Sequence, residues 1–280
     1  FAACINSYEG KINEVIKTIK EAKRMGVDVR FDKWQNATGE TVCHDNVVWL
    51  GTNTMKGFGK NVATGLNELS QKEYNDFVEF LIDASTNQNI DKSQLESLIT
   101  LDWFKQFGAS GKLSRIYKLF ESIYGRKQFA KDKCPIPHDI ISQFCKETEK
   151  QYREVDCNGL LSFMCSQVED FELPLEYRLK TQQEVCGYIS YTDTSRPNTA
   201  VVMDLNTKYS TFKAQLYRVS TGDTITVKLK KKYYEQMPIA VGQVINYRTE
   251  TKPGWRMDEN QKWQVDYSKQ DIWLTSYTIK

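Results

Sequence analysis

Near Thr199 the spacing of apolar residues along this chain switches from the helical repeat to the alternation of a half-buried strand. That switch demands two kinds of architecture in one polypeptide. Upstream, Ile12, Val15, Ile16, Ile19, Ala22 and Met25 recur at helical spacing, with lysines and glutamates on the other face and Gly26 as a stop. "VDVRF" (27–31) alternates like a short strand, and "NVVWLG" (46–51) reads as a second buried apolar element. From about Val62 to Tyr124 the segments "NVATGLNEL", "EYNDFVEFLIDA", "DKSQLESLITLDWF" and "LSRIYKLFESIY" predict short helices joined by polar turns, with Asp91 as an N-cap. A Pro-rich break, "KDKCPIPHD", then opens a connector with some helix. Beyond Thr199, Phe212, Ala214 and Leu216 alternate with Lys213, Gln215 and Tyr217, and Ile225, Val227 and Leu229 alternate with Thr226, Lys228 and Lys230. With "NTAVVMDL", "GQVINYRTE" and "DIWLTSYTI" this makes about five strands, the number of a small closed barrel. The expected class is α+β multidomain, a helical domain followed by a small β-barrel.

Between the second apolar element and the helices lies "TMKGFGKNVA" (54–63). Two glycines around one apolar residue suit a tight hairpin that presents bare amides, and amides at a helix start attract anions. Lys56, Gly57, Phe58, Gly59, Lys60 and Asn61 are therefore the candidate residues for holding a nucleic-acid phosphate, in the layout of a helix-hairpin-helix that binds without reading sequence. Met55 and Val62 would pack the flanking helices together. The competing reading is an ordinary turn between helices.

In the barrel, the outward row Lys213, Tyr217, Lys228 and Lys230 mixes cations with an aromatic, as a groove for single-stranded nucleic acid does. A solvated face that guards against edge pairing is the alternative. Tyr233, Tyr234, Trp255, Trp263 and Trp273 offer stacking surfaces, but tryptophans of a small barrel are expected in its core. Charge supports the nucleic-acid reading of this end. From Pro197 on there are 13 Lys and Arg against 8 Asp and Glu, a net +5; before it there are 25 against 28, a net −3.

Other classes are disfavoured. Seven irregularly spaced cysteines without a CxxC argue against a disulfide framework and a zinc site, and point to reduced cytoplasmic thiols. No run approaches the roughly 18 apolar residues of a membrane helix. His44 and His138 stand in no ligand spacing, and the paired acids Glu147/Glu149 and Glu169/Asp170 lie in solvated charged stretches. Two-metal phosphoryl transfer needs a carboxylate cluster that is not assembled here, so this stretch by itself is not expected to be catalytic. Its start, Phe1-Ala2-Ala3-Cys4, suggests a piece of a longer polypeptide.

Taken in order, these stretches resemble the alpha subunit of bacterial DNA polymerase III, the C-family replicative polymerase. "EAKRMGVDV" resembles the close of that family's fingers domain. "VVWLGTNTMKGFGKNVA" resembles its glycine hairpin, with Gly51, Met55, Lys56, Gly57, Phe58 and Gly59 matching in order. "DKSQLESLITLDWFKQFG", "QQEVCGYIS" and "VSTGDTITVKLKKKYYE" resemble its second turn, the motif before its barrel and the barrel's central hairpin. The resemblance implies the end of the fingers over 1–45, a helix-hairpin-helix duplex-binding domain over 46–125, a connector that meets the sliding clamp over 126–196, and an OB-fold over 197–280. Hairpin before barrel is the DnaE-type order. Implied partners are double-stranded and single-stranded DNA, the sliding clamp and other replisome subunits. The implied parent is a DNA-directed DNA polymerase using Mg2+ in a palm upstream, with no cofactor in this stretch. The alternative is a non-enzymatic accessory or repair module that combines the same two DNA-binding elements.

Three departures from the family pattern stand out. Asp102 replaces a glycine of the second turn, where a carboxylate would repel phosphate. The clamp-binding pattern of Gln, two variable residues, an aliphatic and Phe is nearest met by Gln167 to Phe171, with Asp170 at the aliphatic position. "FDKWQ" (31–35) stands in place of a proline pair. They suggest a diverged member, from a mobile element or an unusual lineage.

Overall fold

The computed structural model describes residues 1–31, 38–257 and 262–280, and divides into two units, Phe1–Pro174 and Leu175–Lys280. Apart from Phe31, the "FDKWQ" departure lies outside the described residues.

The first unit opens with α1 (Ala2–Ser7) and the amphipathic α2 (Ile12–Arg24), which buries Val15, Ile19 and Ala22. Gly26, at φ +79°, follows its end. Strand β1 (Asp28–Phe31) runs parallel to β3 (Val47–Leu50), and β2 (Val42–His44) pairs antiparallel to β3. The two-residue connection Asp45-Asn46 has φ +51° and +59°, the left-handed pair that lets a tight hairpin follow strand twist.

Four helices come next: α3 (Lys60–Ser70), α4 (Phe77–Thr86), α5 (Lys92–Thr100) and α6 (Ser110–Ile123). Each of α4 and α5 starts on an aspartate that accepts a backbone N–H three residues on, Asp76 from Glu79 and Asp91 from Gln94. Their apolar faces meet around Phe80, which is fully buried with its ring centroid 4.8 Å from that of Phe104 and 5.5 Å from that of Phe77. Burying one such ring contributes about 1.5–3 kcal/mol, so this aromatic cluster anchors the helices.

The α5–α6 turn has a particular geometry. Asp102 N–H reaches the Ile99 carbonyl and Trp103 N–H the Leu98 carbonyl, the paired hydrogen bonds of a helix end that needs a left-handed residue. Asp102 fills that place at φ +61°.

The stretch expected to be a connector holds more β-structure than its sequence suggests. Strands β4 (Gln128–Ala130), β5 (Lys146–Glu147) and β6 (Gln151–Arg153) form an antiparallel sheet in the order β4-β6-β5, beside α7 (His138–Ile141) and α8 (Cys157–Ser166). Strands of two or three residues are too short to print an alternation.

The second unit begins with α9 (Leu175–Thr181), continued by a π turn to Cys186. Five strands follow: β7 (Thr199–Asn206), β8 (Thr211–Arg218), β9 (Thr224–Lys230), β10 (Val244–Met257) and β11 (Trp263–Ile279), with α10 (Lys231–Gln236) between β9 and β10. They pair in the order β10-β11-β9-β8-β7, and β7 also pairs with β10, so the sheet closes. Every pair is antiparallel except β9 with β11, which meet at Lys228 and Trp273. The interior holds Phe212, Ala214, Leu216, Val227 and Leu229, the inward set expected from alternation, with Ile245 and Leu274.

Candidate nucleic-acid interface

The hairpin at 54–63 is built differently on its two sides. Behind it, α3 starts at Lys60 with Gly59 as N-cap and no side chain capping its amides. Ahead of it, the expected helix is one 3-10 turn, Thr52–Thr54, directly after β3. The apolar run 47–50 alternates in burial against two strand neighbours, so sheet pairing leaves only the last turn to coil.

Within the hairpin, Phe58 N–H bonds the Met55 carbonyl at 3.1 Å and both side chains are buried. Phe58 therefore anchors the turn from inside and does not face a ligand. Gly57 sits at φ +84°, a conformation that costs other residues roughly 1–2 kcal/mol. Gly59 has an ordinary φ of −84°, and a Cβ added there would meet nothing within 4 Å. Packing does not require that glycine; its effect is to leave the α3 amides bare. Lys56, Lys60 and Asn61 are exposed around them. A carboxylate stands close to this set at Glu9, whose Oε2 lies 3.7 Å from Lys60 Nζ. A cleft of about 560 Å³ separates the hairpin backbone from the α1–α2 turn, lined among others by Glu9, Gly10, Asn53 and Lys56. Asn53 Oδ1 is buried without a hydrogen-bond partner. Glu9 and Asn53 belong to no glycine pattern, so the sequence alone does not single them out.

The start of α6 contrasts with that of α3. The chain's own residues 170–173 lie across it: Asp170 Oδ1 accepts from Ala109 N–H at 3.0 Å, the Phe171 carbonyl from Lys112 N–H at 3.2 Å, and Glu172 Oε2 from the Ser110 hydroxyl at 2.9 Å. The Phe171 ring covers Gly111, where a Cβ would come within 2.4 Å of it. Of the clamp-peptide residues, then, Gln167 is exposed at the end of α8, whereas Phe171 is committed to α6 through its ring and carbonyl while 41% of it remains accessible.

The outward row of the barrel needs correction. Lys213 and Lys230 are exposed as expected. Tyr217 lies on the outer face but is not exposed: it is buried, its hydroxyl donates to the Tyr191 carbonyl at 2.9 Å, and burial pushes its phenol up to about 12. Leu179 and Ile189 pack with Tyr217, Val201, Val219 and Val244 and cover that end of the sheet's outer face. Lys228 lies directly opposite Lys213, a like-charge pair that would be unfavourable alone. Asp271 relieves it with an ion pair to Lys228 at 2.5 Å, and Lys228 also sits 5.8 Å over the Trp273 ring.

The tryptophans expected in the core divide as well. Trp273 is half-buried, but Trp255 and Trp263 are 56% and 63% exposed. Both lie where β10 and β11 run on as a two-stranded hairpin, which has no interior to receive them.

Among the described residues no group of three or more His, Cys, Asp or Glu could hold a metal ion, and no helix is long and apolar enough to cross a membrane. Comparison with protein-family models and with curated proteins finds no match.

Proposed function

We propose that this chain is a nucleic-acid-binding region of a C-family replicative DNA polymerase, in which the hairpin before α3 holds duplex phosphates and the five-stranded sheet guides a single strand. The observation that carries this reading is the contrast between the two helix starts. At α6 two amides, those of Ala109 and Lys112, and the Ser110 hydroxyl bond to residues 170–172 of the chain itself. At α3 the amides are left uncapped behind a glycine that packing does not need, between two exposed lysines. Oriented amides and flanking cations are what a phosphodiester needs, and they carry no base preference.

The second unit supports the same reading. Its strands connect as first-second-third-fifth-fourth and back to the first, with a helix between the third and fourth and a parallel contact between the third and fifth. That connectivity suits an OB-fold, a barrel used for oligonucleotides. A fold alone does not give a function, so the weight rests on the exposed Lys213 and Lys230 and on the aromatic residues of β10 and β11. Engagement of a sliding clamp through Gln167–Phe171 would require Phe171 to leave α6.

Fluorescence anisotropy with a labelled primer-template and with each strand alone, at two salt concentrations, tests the proposal. It expects tightest binding to the primer-template and a steep loss with salt. No binding even at low salt would refute it.

A further inference from the structure

Strand β10 lies between β7 and β11 where the sheet closes, at the opposite end of β10 and β11 from residues 258–261. Alternation fixes which side chains leave the barrel there. Ile245 and Tyr247 belong to its interior, so Asn246 and Arg248 face outward. The register sets Thr199 and Thr278 on either side of Asn246, and Ser276 beside Arg248. Residues directly opposite share a face, so these five make one polar surface across three strands.

The segment 195–198 forms a wall beside this surface and is held by the chain itself. Asp193 accepts the Ser195 N–H and Arg196 Nε, both at 3.0 Å. The Arg196 carbonyl accepts the Thr199 N–H at 3.2 Å, and the Asn198 carbonyl accepts the Tyr247 N–H at 2.8 Å. Wall and sheet bound a pocket of about 560 Å³, also lined by Lys280. Its volume falls within the ~300–1,000 Å³ of small-molecule sites.

The chemistry of the lining selects the occupant. No carboxylate stands among the described lining residues. Arg196 is committed to Asp193, but Arg248 and Lys280 are exposed and pair with no acid among the described residues. Glu250, the next acid along β10, pairs with Lys252 at 3.0 Å. Asn246 Oδ1 accepts the Thr199 hydroxyl at 3.1 Å, which leaves the Asn246 amide N–H groups to donate. The Ser276 and Thr278 side chains bond no other described residue. Two unopposed cations and three neutral donors call for an anion of high charge with many acceptors. A carboxylate or a phosphodiester carries one negative charge, whereas a phosphate monoester carries about −1.5 to −2 on three strong acceptor oxygens. The guanidinium fork of Arg248 suits two of them at once.

We propose that this pocket binds a phosphate monoester, that of a free nucleotide or of a strand end, on Arg248 and Lys280, with Asn246, Ser276 and Thr278 as further donors. The choice of a nucleotide as carrier rests on the nucleic-acid reading above; the choice of a phosphate monoester does not.

The test is calorimetric titration of the whole chain with thymidine monophosphate and with oligothymidine bearing or lacking a terminal phosphate, in the wild type, R248A/K280A, R248K/K280R and K56E/K60E. In the wild type the terminal phosphate should raise oligothymidine affinity about tenfold or more, the effect of charge-assisted hydrogen bonds. R248A/K280A should abolish that gain, while K56E/K60E should keep it. R248K/K280R, with both charges intact, should retain most of it, which separates lost charge from misfolding. Thymidine monophosphate binding that depends on Arg248 and Lys280 would assign the site to free nucleotides; a gain confined to phosphorylated oligothymidine would assign it to strand ends. Equal affinity with and without the terminal phosphate, together with no binding of thymidine monophosphate, would overturn the pocket, and would leave the hairpin's role intact if K56E/K60E still lowers duplex binding. Thymidine monophosphate binding that is lost in R248A/K280A, in a chain that binds no oligonucleotide or duplex even at low salt, would uphold the pocket and remove the nucleic-acid reading. A gain left unchanged in R248A/K280A would also overturn the proposal.

Discussion

Gln94 Nε2 donates to the Gly57 carbonyl at 2.7 Å, tying the third residue of α5 to the glycine turn 37 positions earlier. The same side chain accepts the Asp91 N–H through Oε1 at 2.8 Å, while Asp91 Oδ1 accepts the Gln94 N–H. One glutamine thus completes a capping box and fixes the hairpin. Gln94→Ala should lower stability in urea denaturation by about 1–2 kcal/mol, the sum expected for a cap and one hydrogen bond. It should also weaken duplex binding, although Gln94 carries no charge. Stability that falls with duplex affinity untouched would show that the hairpin holds its shape without this tie.

Glu9 competes with any phosphate for Lys60. Replacing it in Glu9→Gln removes the carboxylate 3.7 Å from Lys60 Nζ and should tighten duplex binding several-fold at low salt, an effect that fades as salt screens the site. Because the pair is largely exposed, stability should hardly change. Anisotropy titrations at low and high salt check this.

Asp170 and Glu172 hold the start of α6. The double variant Asp170→Asn/Glu172→Gln keeps hydrogen-bonding oxygens but removes both charges, so a cost of about 1 kcal/mol or less is expected in thermal denaturation. Gly111→Ala would be far more damaging, since its Cβ meets the Phe171 ring and backbone. If G111A is as stable as the wild type, residues 170–173 do not lie on α6.

Asp102 carries backbone strain from standing in a glycine's place. At φ +61° a β-branched side chain is least tolerated, so Asp102→Val should cost more than about 1 kcal/mol, and more than Asp102→Asn, whose side chain tolerates the left-handed region. Equilibrium denaturation of the two variants decides it.

Asp83 supplies a pH dependence. Its carboxylate accepts from Lys72 Nζ at 2.8 Å and from the Tyr74 hydroxyl at 2.6 Å, and these bonds, the lysine's first, hold it below the usual carboxylate range. With the folded value depressed, this contribution is complete above the unfolded value of about 3.9 and is lost as pH falls through the folded value. The stability gap between wild type and Asp83→Asn should therefore narrow as pH drops below about 4.

Local chemistry makes much of this fold legible. Asp91 caps its helix because an aspartate before an apolar repeat has little else to do, and Phe212, Ala214 and Leu216 point inward because strand geometry forces alternation. Tyr217 obeys the same alternation yet is buried, because Leu179 and Ile189, distant in sequence, pack against it. The two-stranded extension of β10 and β11 is hidden by Pro253 and Gly254, which interrupt the pattern at a register shift. Its tryptophans look like core residues because composition does not reveal that two strands outrun the other three. The hairpin's glycines are visible as a motif. That the start of α6 is covered by Asp170 and Glu172 is not, since an interaction over some sixty residues leaves no local trace.

The most direct test of the central claim is the salt dependence of primer-template binding by wild type and by Lys56→Glu/Lys60→Glu. If the α3 hairpin holds duplex phosphate, the double variant should bind more weakly, and the slope of log affinity against log salt should be shallower by roughly 0.9 for each phosphate that the lysines no longer neutralise. An unchanged affinity and slope would mean that "TMKGFGKNVA" is a turn and nothing more.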